Sequence, residues 1–326
     1  YIIGMDTLLD KIKSSRDIRE TTLNIYKNML NRLADKLDVD FSMDMFETKK
    51  KEILEYLSTL SNSVKKKMIA SIMVAISPEK NKPLEKYSSL YNTLKNMLNK
   101  ENGIYLESVS NNKKSDKDEK NWTTMNELHK VRERLLKHIK AKGYDLKKDK
   151  GVESKRDFFL IQKYLIASLY TLLPPRRLIY ADMKIVNKKE FDALTEKEKE
   201  DDAYLVNVNK SRKYFYYGKE ADKSSTEEAV KIDVPKSMNN LLNFWTGINK
   251  KDYLLLNQQG QKLSKNNLSK EDRSIFSNKS KSISVNLIRK IYISERFADV
   301  NKEKEEVSKA MNHSVNVADT FYAKKD

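Results

Sequence analysis

The sequence predicts a protein that is mostly α with a small antiparallel β-sheet, divided into two domains. Three observations lead there. Apolar residues recur at helical spacing through most of the chain. Between Tyr204 and Val234 the period drops to two, as it does in half-buried strands. The stretch Ser108 to Asn121, SVSNNKKSDKDEKN, has almost no apolar residue and a dense mixture of charges, which is linker composition. The expected boundaries are residues 1–107 for an all-helical domain, 108–121 for a linker and 122–326 for an α+β domain.

In the first domain, Ser15 and Asp17 offer N-caps for a helix running to about Leu37, with Ile18, Ile25, Leu30 and Leu33 on its apolar stripe. Phe46 to Leu60 continues the pattern through Ile53, Leu54 and Leu57. Ser61 and Ser63 cap a third helix, Val64 to Ile76, which reads as basic on one side at Lys65, Lys66 and Lys67. Pro78 and Pro83 frame a turn, and Leu84 to Leu98 forms a fourth helix carrying Tyr87, Tyr91 and Leu94. Helices of this size joined by short loops make a compact helical domain.

The second domain opens at Trp122-Thr123-Thr124, which leads into a helix from Met125 to Lys142. A second helix, Lys155 to Leu172, is apolar nearly all round and is therefore expected to be buried. Pro174-Pro175 ends it, because neither ring allows the helix to continue. Arg176 and Arg177 follow at once, then IYADMKIV. The strands are YLVNVN, KYFYYGK and AVKIDVP, with Lys219 near a turn between the last two. Helical patterns resume at 236–245, 263–276, 283–297 and 302–311, and no internal repeat is visible.

Composition bounds the function. A chain of 326 residues is long enough for two domains with sizeable cores. Sixty-four Lys and Arg against 47 Asp and Glu leave a formal charge of +17, which favours a polyanionic partner: nucleic acid or an anionic membrane surface. No run of eighteen apolar residues and no signal-peptide core is present, so a membrane partner is not expected. With no cysteine, three histidines, seven glycines and no evident carboxylate cluster, neither metal nor cofactor is expected. The chain opens on Tyr1 rather than Met and stops shortly after Tyr322, as a trimmed sequence would.

The stretch from Lys281 to Asp326 narrows the reading. It places Arg289 inside an amphipathic helix, and His313 nine residues before Tyr322. Together with LLPPRR and YYGKEA, the segments ISVNLIRKIYIS and MNHSVNVADTFY give the order Arg, Lys, Arg, His, Tyr. That order resembles the tyrosine recombinases, the integrases of phages and mobile elements. The branch found in mobile elements of eukaryotes and in large DNA viruses looks most similar. The resemblance covers most of the chain, and it implies an N-terminal helical core-binding domain and a catalytic domain that clamp double-stranded DNA.

The chemistry implied is transesterification. Tyr322 would attack the scissile phosphate and form a 3′-phosphotyrosine that stores the bond for religation, so no ATP is needed. The pentacovalent state carries extra negative charge, which two arginines can hold bidentately without losing protons. By resemblance these are Arg289 and one of the pair Arg176 and Arg177. Arg176 is favoured because Tyr180 and Met183 fall at helical spacing behind it. His313 would hydrogen-bond the phosphate, and Lys219 would protonate the leaving 5′ oxygen, with Lys210, Lys213 and Lys223 as rivals for that role.

Two positions depart from the family pattern. Asn286 stands where a histidine is common, and an amide cannot take the tyrosine's proton, which leaves the general base open. Asn312 stands where the family has Gly before the histidine. Lys65, Lys66 and Lys67 would contact DNA phosphates; about eight such contacts would give a salt slope of roughly −7. The family works as a homotetramer on paired sites, and the expected location is intracellular, at DNA, in the nucleus of a eukaryotic host. The alternatives are a type IB topoisomerase, which relaxes supercoils as a monomer, and a non-catalytic DNA-binding protein descended from a recombinase.

Overall fold

The computed structural model describes residues 4–80, 82–110, 114–148, 151–221 and 228–311. The protein is mostly helical with one small sheet, and it divides into two compact units, through Lys113 and from Lys114.

Among the described residues the first unit holds six α-helices: α1 (Met5–Ser15), α2 (Glu20–Lys36), α3 (Met45–Thr48), α4 (Lys50–Thr59), α5 (Asn62–Ile76) and α6 (Ser88–Ser110). The apolar stripe of each faces one core, in which Leu8, Ile12, Leu30, Leu33, Phe46, Ile53, Leu57, Ile69 and Leu94 are buried. Helix α1 lies ahead of the first helix expected from the sequence, and α2 starts at Glu20 rather than at the Ser15 or Asp17 caps. Arg16 explains the gap. Its guanidinium donates to the carbonyls of Ser77, Pro78 and Glu79, and the Ser15 hydroxyl donates to Pro78 (2.8 Å). These bonds satisfy carbonyls just beyond the end of α5 and keep residue 16 extended.

The second unit runs α7 (Asp116–Asn121), α8 (Met125–Ala141), α9 (Lys155–Thr171), β1 (Lys184–Asn187), α10 (Lys188–Asp192), α11 (Glu196–Asp201), β2 (Ala203–Asn207), β3 (Lys213–Tyr217), β4 (Val230–Asp233), α12 (Lys236–Ile248), α13 (Lys265–Phe276), α14 (Val285–Arg296) and α15 (Ala298–Ala310). Ser115, Thr124, Ser154, Ser264 and Ser284 cap five of these helices through their side chains. Helix α9 is buried along most of its length, as its composition requires. The Gln162 amide clasps both the N–H and the carbonyl of Leu256, and the Trp245 indole donates to Leu254 (2.9 Å).

Two expectations are corrected here. Residues 108–121 are not an irregular linker throughout: residues 108–110 finish α6, and Asp116–Asn121 form α7. Helix α7 is fixed within the second unit by Lys290 on Asp118 (2.5 Å) and by the Ser282 N–H on Asn121 (2.6 Å). Its charges are the solvent face of a short helix. The sheet is mixed rather than wholly antiparallel. Its order is β1-β2-β3-β4, and β1, which falls in IYADMKIV, runs parallel to β2. The crossover between them carries α10 and α11, each opened by a capping box, at Asn187/Glu190 and Thr195/Glu198.

Candidate active site

Of the expected site residues of the second unit, Arg176 and Lys219 lie at one end of β3. Where α9 stops before Pro174-Pro175, the Tyr170 hydroxyl donates to the Arg177 carbonyl (3.1 Å) and pins the backbone beside Arg176. The Arg176 guanidinium lies 3.7 Å from the centre of the Tyr217 ring, over the last residue of β3. The Arg177 side chain is exposed instead.

Tyr217 belongs to a buried aromatic cluster. Tyr170 and Tyr180 meet edge to face at 5.5 Å, and Phe215 lies between Tyr180 and Tyr217, 6.3 Å from each. Burial pushes the Tyr180 phenol up to about 12, against the pull of the Tyr217 hydroxyl beside it and of Arg176. It lifts Tyr170 and Tyr217 well above the usual phenol range. Arg289, half-buried on α14, is near enough for its charge to act on the Tyr170 phenol. Among the described residues neither Arg176 nor Arg289 pairs with a carboxylate.

Asp272 completes the group. It sits on α13 with no exposed surface, and neither of its oxygens has a hydrogen-bond partner among the described residues. Burial pushes its carboxyl up to about 8, and its charge also acts on Tyr170. Sequence reasoning missed Asp272, Tyr170 and Tyr217. Asp272 had a legible signal, a carboxylate at i+4 from Leu268 on an apolar stripe that continues to Phe276. The two tyrosines had none, because they meet only once the sheet has packed on α9.

Lys219 follows Tyr217 by two residues, on the β3–β4 connection. A Cβ on Gly218 would come within 2.2 Å of the Lys199 carbonyl and 2.3 Å of the Glu200 carbonyl. Only glycine lets the chain pass so close to the end of α11. The Lys219 ammonium then pairs with Glu200 (2.8 Å), which raises its pKa. Of its rivals, Lys213 opens β3 and sits about 13 Å away from Tyr217 along the strand. Lys210 lies at that same distant end, and Lys223 falls outside the described residues.

Asn286 is exposed on α14, one turn before Arg289. His313, Tyr322 and Asn312 lie outside the described residues. In the first unit the expected basic face of α5 is not one face. Three consecutive helical residues point in three directions. Lys65 turns inward onto Glu101 of α6 (3.1 Å, both side chains 15% exposed), Lys66 is half-buried, and Lys67 is exposed.

Among the described residues no three His, Cys, Asp or Glu side chains gather as a metal site, and no helix is long and apolar enough to cross a membrane. No protein-family model matches the chain, and no curated protein matches it.

Proposed function

We propose that this protein cuts and rejoins DNA strands as a tyrosine recombinase does, through a 3′-phosphotyrosine on Tyr322. One observation carries the reading. Arg176 and Arg289 are more than a hundred residues apart in sequence, yet Arg176 lies over the Tyr217 ring and the charge of Arg289 acts on Tyr170 in the same cluster, and neither pairs with a carboxylate among the described residues. Two such arginines can grip the non-bridging oxygens of a phosphodiester and stabilise the charge that develops there. The apolar cluster behind them lowers the local dielectric and strengthens that grip.

In this reading Tyr322 attacks phosphorus, its proton leaves to water or to a neighbouring base, and the P–O5′ bond breaks. Lys219 donates its proton to the departing 5′ oxygen. Its pairing with Glu200 keeps it protonated at rest, and the incoming phosphate competes for the ammonium. Asn286 supplies a hydrogen bond and no base. Exchange between two sites requires two bound duplexes, and the tetramer of the resembled family is the proposed working unit.

The test is direct. A pool of randomised, nicked duplexes is incubated with the protein, and SDS-resistant protein–DNA adducts are recovered and sequenced. Wild type should yield adducts through Tyr322, whereas Tyr322→Phe should bind the same DNA and yield none. Arg176→Ala and Arg289→Ala should each reduce adduct formation by on the order of a hundredfold or more. DNA binding without any adduct would sink the catalytic reading in favour of a DNA-binding descendant. Relaxation of supercoils without exchange between sites would favour the topoisomerase.

A further inference from the structure

The other end of β3 holds a second feature that the proposed chemistry does not use. Lys213 is 3% exposed, and no carboxylate approaches it among the described residues. Its ammonium donates to the carbonyls of Asn209 (3.2 Å) and Lys210 (3.3 Å) and to the side-chain oxygens of Asn239 (3.2 Å) and Asn243. The amides of Asn239 and Asn243, on α12, donate in turn to the Lys210 carbonyl (2.7 and 2.8 Å). Within the turn, the Asn209 side-chain oxygen accepts from the Ser211 and Arg212 N–H groups (2.8 Å each). Every one of these acceptors is neutral.

The effect is a tight turn bolted to a helix by a buried cation. The bolt fixes the backbone at Lys210 and leaves the side chains of Lys210 and Arg212 exposed, with no carboxylate partner among the described residues. Two cations on a rigid support lose little freedom when they bind, and the buried ammonium adds a fixed positive potential beneath them. We infer that the 208–212 turn is a phosphate-backbone contact for duplex DNA, held ready by Lys213, Asn239 and Asn243. The inference rests on the strand-exchange reading for the identity of the polyanion.

Its place is set by the sheet. The pair at the base of the turn, Asn207–Lys213, is four residue pairs from the Ala203–Tyr217 pair, about 13 Å along the strands. At 3.4 Å of helix axis per nucleotide, the contacted phosphates lie within about four nucleotides of the one held by Arg176.

The experiment measures affinity for a random-sequence duplex against salt concentration. It compares wild type, Lys210→Ala/Arg212→Ala, and Lys189→Ala/Lys197→Ala, a control that removes the same charge from exposed lysines on α10 and α11. The turn variant should lose about 1.8 units of salt slope and about tenfold or more in affinity at low salt, with the control close to wild type. Equal slopes for the turn variant and wild type would overturn the inference. So would an equal loss in the control, which would reduce the effect to bulk charge. A wild type that binds no duplex would remove the strand-exchange reading as well, and that failure appears before any variant is made. A neutral methylphosphonate scan around the tyrosine junction should find sensitive phosphates within about four nucleotides for wild type, and should lose them in the turn variant.

Discussion

The second unit buries the Lys213 and Asp272 side chains almost completely, and treats them in opposite ways. Beneath the 208–212 turn, Lys213 has four oxygens around its ammonium. On α13, neither oxygen of the Asp272 carboxylate has a hydrogen-bond partner among the described residues. The first region is what a fold needs for rigidity: a buried charge whose donors are all used. The second tolerates a loss of stability, and it does so close enough to Tyr170 for the Asp272 charge to act on that phenol, as the charge of Arg289 also does. Unsatisfied buried groups are few in native proteins, and sites of function are where they are most often retained.

Three measurements test that contrast, in order of expected effect. Asp272 should make stability depend on pH. Between about pH 4 and 8 the folded chain keeps a proton on its carboxyl that the unfolded chain has released. The contribution of this group to stability therefore falls as pH rises through that window, by up to about 5 kcal/mol. Urea unfolding of wild type should weaken from pH 5 to pH 8, and Asp272→Asn should largely remove the trend. Matching profiles for the two proteins would mean that Asp272 has partners after all, and the contrast would be gone.

Lys213→Met should cost about 2 kcal/mol, because it strips a donor from buried oxygens on the turn and on α12. Thermal unfolding at pH 7 reads this directly, and an unchanged midpoint would show the turn to be held by other bonds. The smallest effect belongs to Lys219→Met. This lysine is more than a third exposed and paired only at the surface, so its loss should leave the melting curve nearly unmoved while adduct formation falls. A large drop in stability there would erase the distinction between the buried lysine that opens β3 and the more exposed one just past its end.

How much of this was legible depends on the range of each signal. Periodicity sees one turn ahead, and it found α2, α5, α8, α9 and the run from α12 to α15. It also found β2, β3 and β4. It could not find β1, whose pairing with β2 is parallel and crosses over two short helices. Those helices did announce themselves, in the Asn187-to-Glu190 and Thr195-to-Glu198 spacings. Spacing favoured Arg176 over Arg177 on a helical pattern with Tyr180 and Met183; the structure has only a short 3-10 turn there, and it leaves Arg176 half-buried and Arg177 exposed. Spacing could not foresee the partner of Lys65, because Glu101 lies thirty-six residues away in sequence and belongs to another helix. The aromatic cluster was invisible for the same reason, because its members are brought together only by the sheet packing on α9.

The pinch at Gly218 carries a last implication, for how such a sequence is free to drift. The last two residues of the preceding crossover helix to touch it, Lys199 and Glu200, do so through main-chain oxygens. As far as this close approach is concerned, their side chains are at liberty to change while position 218 is not, although Glu200 is also tied to Lys219 by its carboxylate. Among descendants of this gene that retain the fold, that codon should stay frozen in the midst of neighbours that wander, and the strand-end lysine beside it would inherit its address from a residue with no side chain at all.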